Sequence, residues 1–271
     1  MNMSLNVRSL ALRVLPPESR LGGFTRDAYR LLTGSRPGIE SVLEALALTI
    51  DGFFFIQVGA NDAVRDDPLK GFVTTYGWRG ILIEPVPFIF ERLKSQYGDS
   101  PNLILENIAI AEQDGETDFY YLEETNDPLL PEWYDRIGSL STDVFAHHQG
   151  HIPDIMDRIV KRRVPCLTFE SLCRKWQIEH IDLVHIDAEG HDFEIIKLID
   201  FSRHSPLAIL YEHMHLGPSY AASLDYLGER GYELLQDRGD TLALHRRGCS
   251  SRFSRVARTW FLAMRPEGNR R

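Results

Sequence analysis

From Phe53 onward, short apolar runs recur, each followed by an amphipathic segment, and this alternation limits the fold more than any other feature. The runs at 53–58, 80–83, 103–105, 181–186 and 207–211 are too short for buried helices and show no polar alternation. Strands covered on both faces read this way, so the chain is expected to be α/β, with a mostly parallel sheet between layers of helix. Helix punctuation fits. Asp67-Pro68 predicts an N-cap with proline in the first turn, and Pro87 opens a helix that Gly98 closes. Thr168 caps 169–176, and Ser219 caps a helix ending near Gly231. The runs 232–235 and 241–245 lie too close for a helical crossover, and the polar turn Asp237-Arg238-Gly239-Asp240 predicts an antiparallel hairpin. A second hairpin is expected around Asp114-Gly115, between 108–111 and 117–122. Residues 123–161 are the least regular stretch and predict a partly ordered insertion over one end of the sheet.

The first turn restricts the ligand. In an open parallel sheet, ligands bind beyond the carboxyl ends of the strands. Gly59 ends the first run and is followed by Ala60, Asn61 and Asp62. A pyrophosphate needs several glycines for close approach to backbone and helix N-terminus. One glycine and a long loop suit a nucleoside without phosphate instead, and S-adenosylmethionine is such a ligand. Asn61 and Asp62 offer polar groups to its amino-acid end, and acidic walls suit its cationic sulfonium. Glu84, in "GILIEPVP", ends the second run 25 residues after Gly59, where a carboxylate accepts hydrogen bonds from two ribose hydroxyls. The missing glycines disfavour a nicotinamide oxidoreductase.

The bulk properties exclude other classes. The 271 residues are 43% hydrophobic, enough for one elaborated domain. The net charge is −9, but Arg246 to Arg271 hold eight arginines and one acid, +7, which leaves −16 for the rest. So acidic a body repels phosphates, and no nucleic-acid partner is expected. Cys166, Cys173 and Cys249 form no C-x-x-C pair and read as reduced thiols of a cytoplasmic protein. No apolar run reaches the roughly 18 residues of a bilayer span. Arg8 and Arg13 interrupt the apolar residues of the N-terminus, which argues against a signal peptide.

The segments "IQVGANDAVRDDPL", "GILIEPVPFIFERL", "ENIAIAEQDGETDFYYL", "IDLVHIDAEGHDFEIIKLIDF" and "PLAILYEHMHL" resemble, in content and order, those of the FkbM-type methyltransferases. The resemblance extends from about Phe53 to His245, and its most specific piece is the I-D-x-E-G block. It implies a seven-stranded class I methyltransferase fold, Rossmann-like, that uses S-adenosylmethionine and methylates hydroxyls of sugars, glycolipids or secondary metabolites. By the same resemblance, Gly59, Ala60 and Asn61 form the cofactor turn and Glu84 is the ribose acid. Asn107 lies near the adenine, and Asp187, Glu189 and Gly190 lie beside the methyl group. Two positions depart from the pattern: Gln57 stands where an acid is frequent, and Ala63 where a glycine is common.

Methyl transfer to a hydroxyl needs orientation, desolvation and a group to take one proton. "HIDAEGHD" and "YEHMH" place acids and imidazoles at adjacent strand ends, and the expected catalytic residues are Asp187, Glu212, His213 and His191. At a helix start the positive end of the helix dipole disfavours a protonated His191. His185 lies deeper on the strand and reads as structural. A metal is not expected, although Asp187, Glu189 and Glu212 are hard oxygen ligands that a divalent ion would accept. His213-x-His215 is a weaker zinc pattern without a third spaced ligand.

Three segments follow: an N-terminal helical extension at 1–50, whose firmest helix is 41–50, a methyltransferase domain at 51–248 and a basic amphipathic tail at 249–271. The tail spaces Phe253, Val256, Ala257, Trp260, Phe261 and Met264 helically among arginines. It either packs on the acidic body or makes peripheral membrane contact. The expected protein is a cytoplasmic O-methyltransferase acting on a hydroxylated small molecule or glycan. The alternative is a non-catalytic binding module that retains the fold.

Overall fold

The apolar runs become the middle of a seven-stranded sheet. In the computed structural model, which describes residues 38–64 and 67–246, the strands are β1 (Phe54–Val58), β2 (Arg79–Ile83), β3 (Leu103–Glu106), β8 (Leu183–Ile186), β9 (Ala208–Glu212), β10 (Tyr232–Asp237) and β11 (Asp240–His245). Their order is β10-β11-β9-β8-β1-β2-β3. β11 runs antiparallel to β9 and β10, and the other pairs are parallel. The 237–240 hairpin forms as read, with Asp237 opposite Asp240. This sheet, with its antiparallel terminal hairpin, is the class I methyltransferase arrangement.

The central strands read as continuous apolar text because Phe55, Ile56, Ile81, Leu82, Leu183 and Val184 are buried. Helices α5 (Phe169–Lys175), α6 (Asp192–Lys197) and α7 (Ser219–Glu229) add Phe169, Leu172, Phe193, Ile196 and Leu227 to one core with Ile56, Ile81 and Val184. Helix α3 (Pro87–Tyr97) adds Ile89 to a separate cluster with Phe119, Tyr121 and Val164. Gly98 closes α3 with φ 54°. The Thr168 hydroxyl accepts from the Ser171 amide and caps α5. Two other expected caps do not form. Ser219 is itself the first helical residue. The Asp67 carboxylate accepts from Gln57 and Tyr97 at 3.2 and 3.4 Å, so helix α2 (Lys70–Tyr76) starts at Leu69 with no side-chain cap.

The hairpin expected around Asp114-Gly115 is replaced by a four-stranded sheet, β4-β7-β5-β6. β4 (Ala109–Ile110) does not pair with β5 (Gly115–Leu122). β7 (Ile159–Leu167) lies between them, parallel to β4 and antiparallel to β5 along its whole length, and β6 (Gly138–Ser139) flanks β5. A strand from later in the chain thus satisfies backbone groups that the local turn alone would leave to water. Residues 123–161, expected to be partly ordered, have a core of their own. Leu122, Tyr134, Ile137, Val144, Phe145, Ile152 and Ile155 are buried together, and α4 (Asp143–His147) belongs to this region.

The described chain divides into two units, one of residues 54–67 and 79–246 and one including 38–53 and 68–78. In the latter, helix α1 (Ile39–Thr49) carries Glu44, which accepts from the Tyr76 hydroxyl at 2.8 Å, and Trp78 stacks on Phe53 and Phe72. The rest of the 1–50 extension and the 249–271 tail lie outside the described residues. Among the described residues no helix is long and apolar enough to cross a membrane, and Cys166 and Cys173 are free thiols.

Asp182 ties the start of β1 to β8. Its buried carboxylate accepts from the Phe54 amide at 2.9 Å and faces His180 Nε2 at 2.8 Å. Asp182→Ala leaves that amide without its acceptor. The expected loss is about 1–3 kcal/mol in urea unfolding, with Asp182→Asn costing less.

Candidate active site

Three parallel strands end together. The amides of Gly59 and Ala60 both donate to the Ile83 carbonyl, and the Asp187 amide donates to the Val58 carbonyl. Gly59 has φ 79°, and a Cβ there would fall on the Asp187 carbonyl oxygen, so the crossing of the β1 and β8 ends admits only glycine. Asn61 and Ala63 follow with φ 49° and 52°. The left-handed backbone at Ala63 explains why a glycine is comfortable there, and alanine tolerates it at a cost of order 1–3 kcal/mol. Gln57 is buried, and its amide donates to Asp67, which supplies a carboxylate next to the position where the pattern has an acid.

Beyond this turn lies a cleft of about 620 Å³, counted out to its mouth. Its walls join an apolar surface, with Val58, Ile83, Val86, Ile108, Ile110 and Phe119, to several polar groups, among them Asn61, Arg136, Asp187, Glu189 and Glu84. Glu84 is the principal one. Its two oxygens accept from the Asn61 amide at 3.0 Å and the Val86 amide at 2.8 Å. Burial pushes its pKa up to about 7 against the pull of these amides, and the charges of Asp187 and Asp62 add to the rise.

Asn61 and Gly59 line the cleft. The Asn61 side chain donates to the Arg136 carbonyl at 3.2 Å and accepts from the Asp62 amide at 2.8 Å. Ala60 is buried in the turn. Asp62 is buried too, and its carboxylate holds Arg136 at 3.1 Å and the Val64 amide at 2.9 Å, so it braces the loop. Asn107 donates to the carbonyls of Glu84 and Pro85 at 2.7 and 3.1 Å and shapes the β2 loop, while its neighbours Ile108 to Ile110 form the wall. Arg136, Phe119, Ser139 and Leu140 also border the cleft. They come from the β5 region and the 123–161 stretch, where sequence periodicity carried no signal for a site.

Asp187, Glu189 and His191 line the cleft from the β8 loop. Asp187 is open to the cleft, yet the crowded strand ends raise its pKa, with Asp240 and Asp67 adding repulsion. Glu189, at φ 51°, is raised by burial and by Asp187 and Glu212, and Glu212 is raised by burial and by Asp187 and Asp240. His191 is the N-cap residue of α6, and burial lowers its pKa, so it is a neutral imidazole at pH 7. His185 is buried beneath the site, held neutral by burial with a pKa of about 4, and its Nδ1 has no partner.

His213 does not join this group. β9 ends at Glu212 and the chain turns, with the Leu216 amide donating to the His213 carbonyl, so strand alternation stops. The His213 ring stacks on Tyr220 at 4.4 Å, and its Nδ1 lies 2.9 Å from the Thr241 hydroxyl. His215 instead faces Glu189 and Glu212, at 3.9 and 3.8 Å. The oxygen set Asp187, Glu189 and Glu212 does not converge as metal ligands. Among the described residues the converging group is His148, Glu189 and His215, whose ligand atoms lie within 4.8 Å of one another.

The sequence matches the methyltransferase FkbM domain over residues 57–234. The chain therefore belongs to the FkbM family of S-adenosylmethionine-dependent methyltransferases. Among solved structures it is similar to methyltransferase FkbM from Methylobacillus flagellatus KT, at 13% identity and a TM-score of 0.46, covering 81% of this chain and 58% of that one. It is also similar to Aeropyrum pernix fibrillarin in complex with natively bound S-adenosyl-L-methionine, at 12% identity and a TM-score of 0.37, covering 74% and 72%. No curated protein matches the sequence.

Because Gly59 is pinned between two strand ends, Gly59→Ala should unfold at lower urea concentration, with a loss of about 2–4 kcal/mol. Gly217→Ala, at φ 50° with open space around it, carries only the backbone cost and should lose about 1 kcal/mol.

Proposed function

We propose that the protein is an S-adenosylmethionine-dependent O-methyltransferase acting on a hydroxyl of a carbohydrate, glycolipid or related polar metabolite. One observation carries the reading. The cleft beyond β1 and β2 meets a second cavity, and Ser139, Glu189 and His191 line both. The first combines an apolar wall with the buried Glu84 carboxylate and the acids Asp187 and Glu189, as an adenosyl sulfonium requires. The second, of about 850 Å³ with its mouth, is bordered by Ser141, Asp143, His147 and His215, as a polyhydroxylated acceptor requires.

The donor set fits the cofactor. Glu84 keeps lone pairs for two ribose hydroxyls after accepting the two loop amides. The apolar wall from Ile108 to Ile110 suits the adenine, and Asp187 and Glu189 suit a positive charge. When bound, S-adenosylmethionine supplies a methyl group on an already activated sulfonium. The protein's own residues then orient the two partners, keep water out between apolar walls and accept one proton. His191, which borders both cavities, is the imidazole assigned to take the proton from the acceptor hydroxyl.

Incubating the protein with tritiated methyl donor and cell extract, then identifying the labelled product, tests the reading. A methyl ether of a polar metabolite supports it, and a product methylated on nitrogen or carbon overturns it. His191→Asn should lower kcat by about 10²–10⁴-fold with cofactor affinity unchanged.

Ribose recognition requires ionised Glu84, so cofactor binding expels the proton that the free protein holds below about pH 7. Affinity should fall about tenfold per pH unit below that value, and calorimetry in buffers of different ionisation enthalpy should register proton release. Glu84→Gln should weaken binding by about 1–3 kcal/mol at pH 8 and flatten the pH dependence. A wild-type affinity independent of pH between 5 and 8 would count against this role.

A further inference from the structure

Where the second cavity approaches the strand ends, two imidazoles and a carboxylate point into one small gap. His148 follows α4 in the 123–161 stretch, Glu189 is on the β8 loop, and His215 is on the β9 loop. Glu189 Oε2 lies 3.9 Å from Nε2 of His148 and 3.9 Å from Nε2 of His215. These separations are too long for hydrogen bonds. They are a few tenths of an ångström beyond what three ligands about 2.0–2.2 Å from one ion would show.

Two further observations point to an absent partner in the gap. His148 Nε2 is completely buried with no hydrogen-bond partner, and so is Glu212 Oε2, which lies 3.8 Å from His215 Nε2. Buried polar atoms without partners are uncommon in a settled fold and suggest an unseen ion or water. The ligands are also braced. The His148 ring packs against Trp133 at 5.1 Å, and the His215 ring stacks on His147 at 5.6 Å. Glu189 is held at positive φ, and Gly190 beside it allows close approach: a Cβ there would lie 3.1 Å from the His215 carbonyl oxygen.

We propose that His148, Glu189 and His215 form a binding site for a divalent transition metal, with an open coordination position facing the second cavity. Two imidazoles and one carboxylate are a ligand set of zinc and non-haem iron sites that leave room for a substrate or water oxygen. Glu212 Oε2 lies 3.8 Å from the same ring nitrogen of His215 that would hold the ion, so it adds a further carboxylate beside the site. Glu189 and His215 line the second cavity, so the metal meets whatever enters it. There it binds an acceptor oxygen and eases loss of the hydroxyl proton, a role that rests on the methyltransferase reading, whereas metal binding does not.

The test uses the full chain, stripped with chelator and titrated with Zn²⁺, with retained metal counted after dialysis. One equivalent is expected. His148→Ala and His215→Ala should each weaken Zn²⁺ binding at least tenfold, while His213→Ala, whose ring sits on Tyr220 and Thr241, should leave it unchanged. Co²⁺ in place of Zn²⁺ should give visible absorption bands that both variants lose. No retained metal, or retention unaffected by His148→Ala and His215→Ala, overturns the site. A separate titration with S-adenosylmethionine distinguishes the two readings. Zn²⁺ binding without cofactor binding removes the methyltransferase role and keeps the metal site; cofactor binding without Zn²⁺ binding does the reverse.

Discussion

The site depends on the close approach of two backbones, Gly59 at the end of β1 and Asp187 at the end of β8. No side chain fits between them. That approach brings the β1 and β8 loops side by side, and the shared Ile83 carbonyl brings the end of β2 to the same place. Glu84 then fixes the result, because its two oxygens hold one amide from the β1 loop and one from its own. A cleft with the Glu84 carboxylate fixed at the end of β2 follows from these few constraints, and this is the group proposed to hold the ribose.

The same crowding explains the electrostatics. Asp187, Glu189, Asp192 and Glu212 lie at or just beyond two adjacent strand ends; burial raises the pKa of each, and the charge of Asp187 adds to the rise at the other three. Asp192 is partly compensated by the amides of Ala188 and Gly190, whereas Glu212 retains an oxygen with no partner. Acids held close together at a cost to stability favour a bound cation. A sulfonium at one side of Glu189 and a metal at the other would each relieve that repulsion, so the two proposed ligands draw on one arrangement of charge.

Much of the main sheet was legible because parallel strands are buried on both faces and read as unbroken apolar runs, as in Phe53 to Val58. β7 was not. Its Lys161, Arg162 and Arg163 face solvent, and Pro165 reads as a strand breaker. Without β7, Asp114-Gly115 resembled a simple hairpin turn, although the pairing partner of β5 comes from Ile159 onward. In the site, Glu84 was readable from its spacing to Gly59, since both belong to strand ends. The role of His148 was not, because it depends on a fold within 123–161 that no local period announces. His213 and His215 appeared equivalent by alternation and face different ways because the strand stops at Glu212.

Amide hydrogen exchange with and without S-adenosylmethionine tests the central claim most directly. The account predicts slower exchange in the β1 turn around Gly59 to Asp62, in the Glu84–Val86 loop and at Asp187 to His191, with β10 and β11 unaffected. Slower exchange confined to other segments, or no change at saturating cofactor, would contradict it.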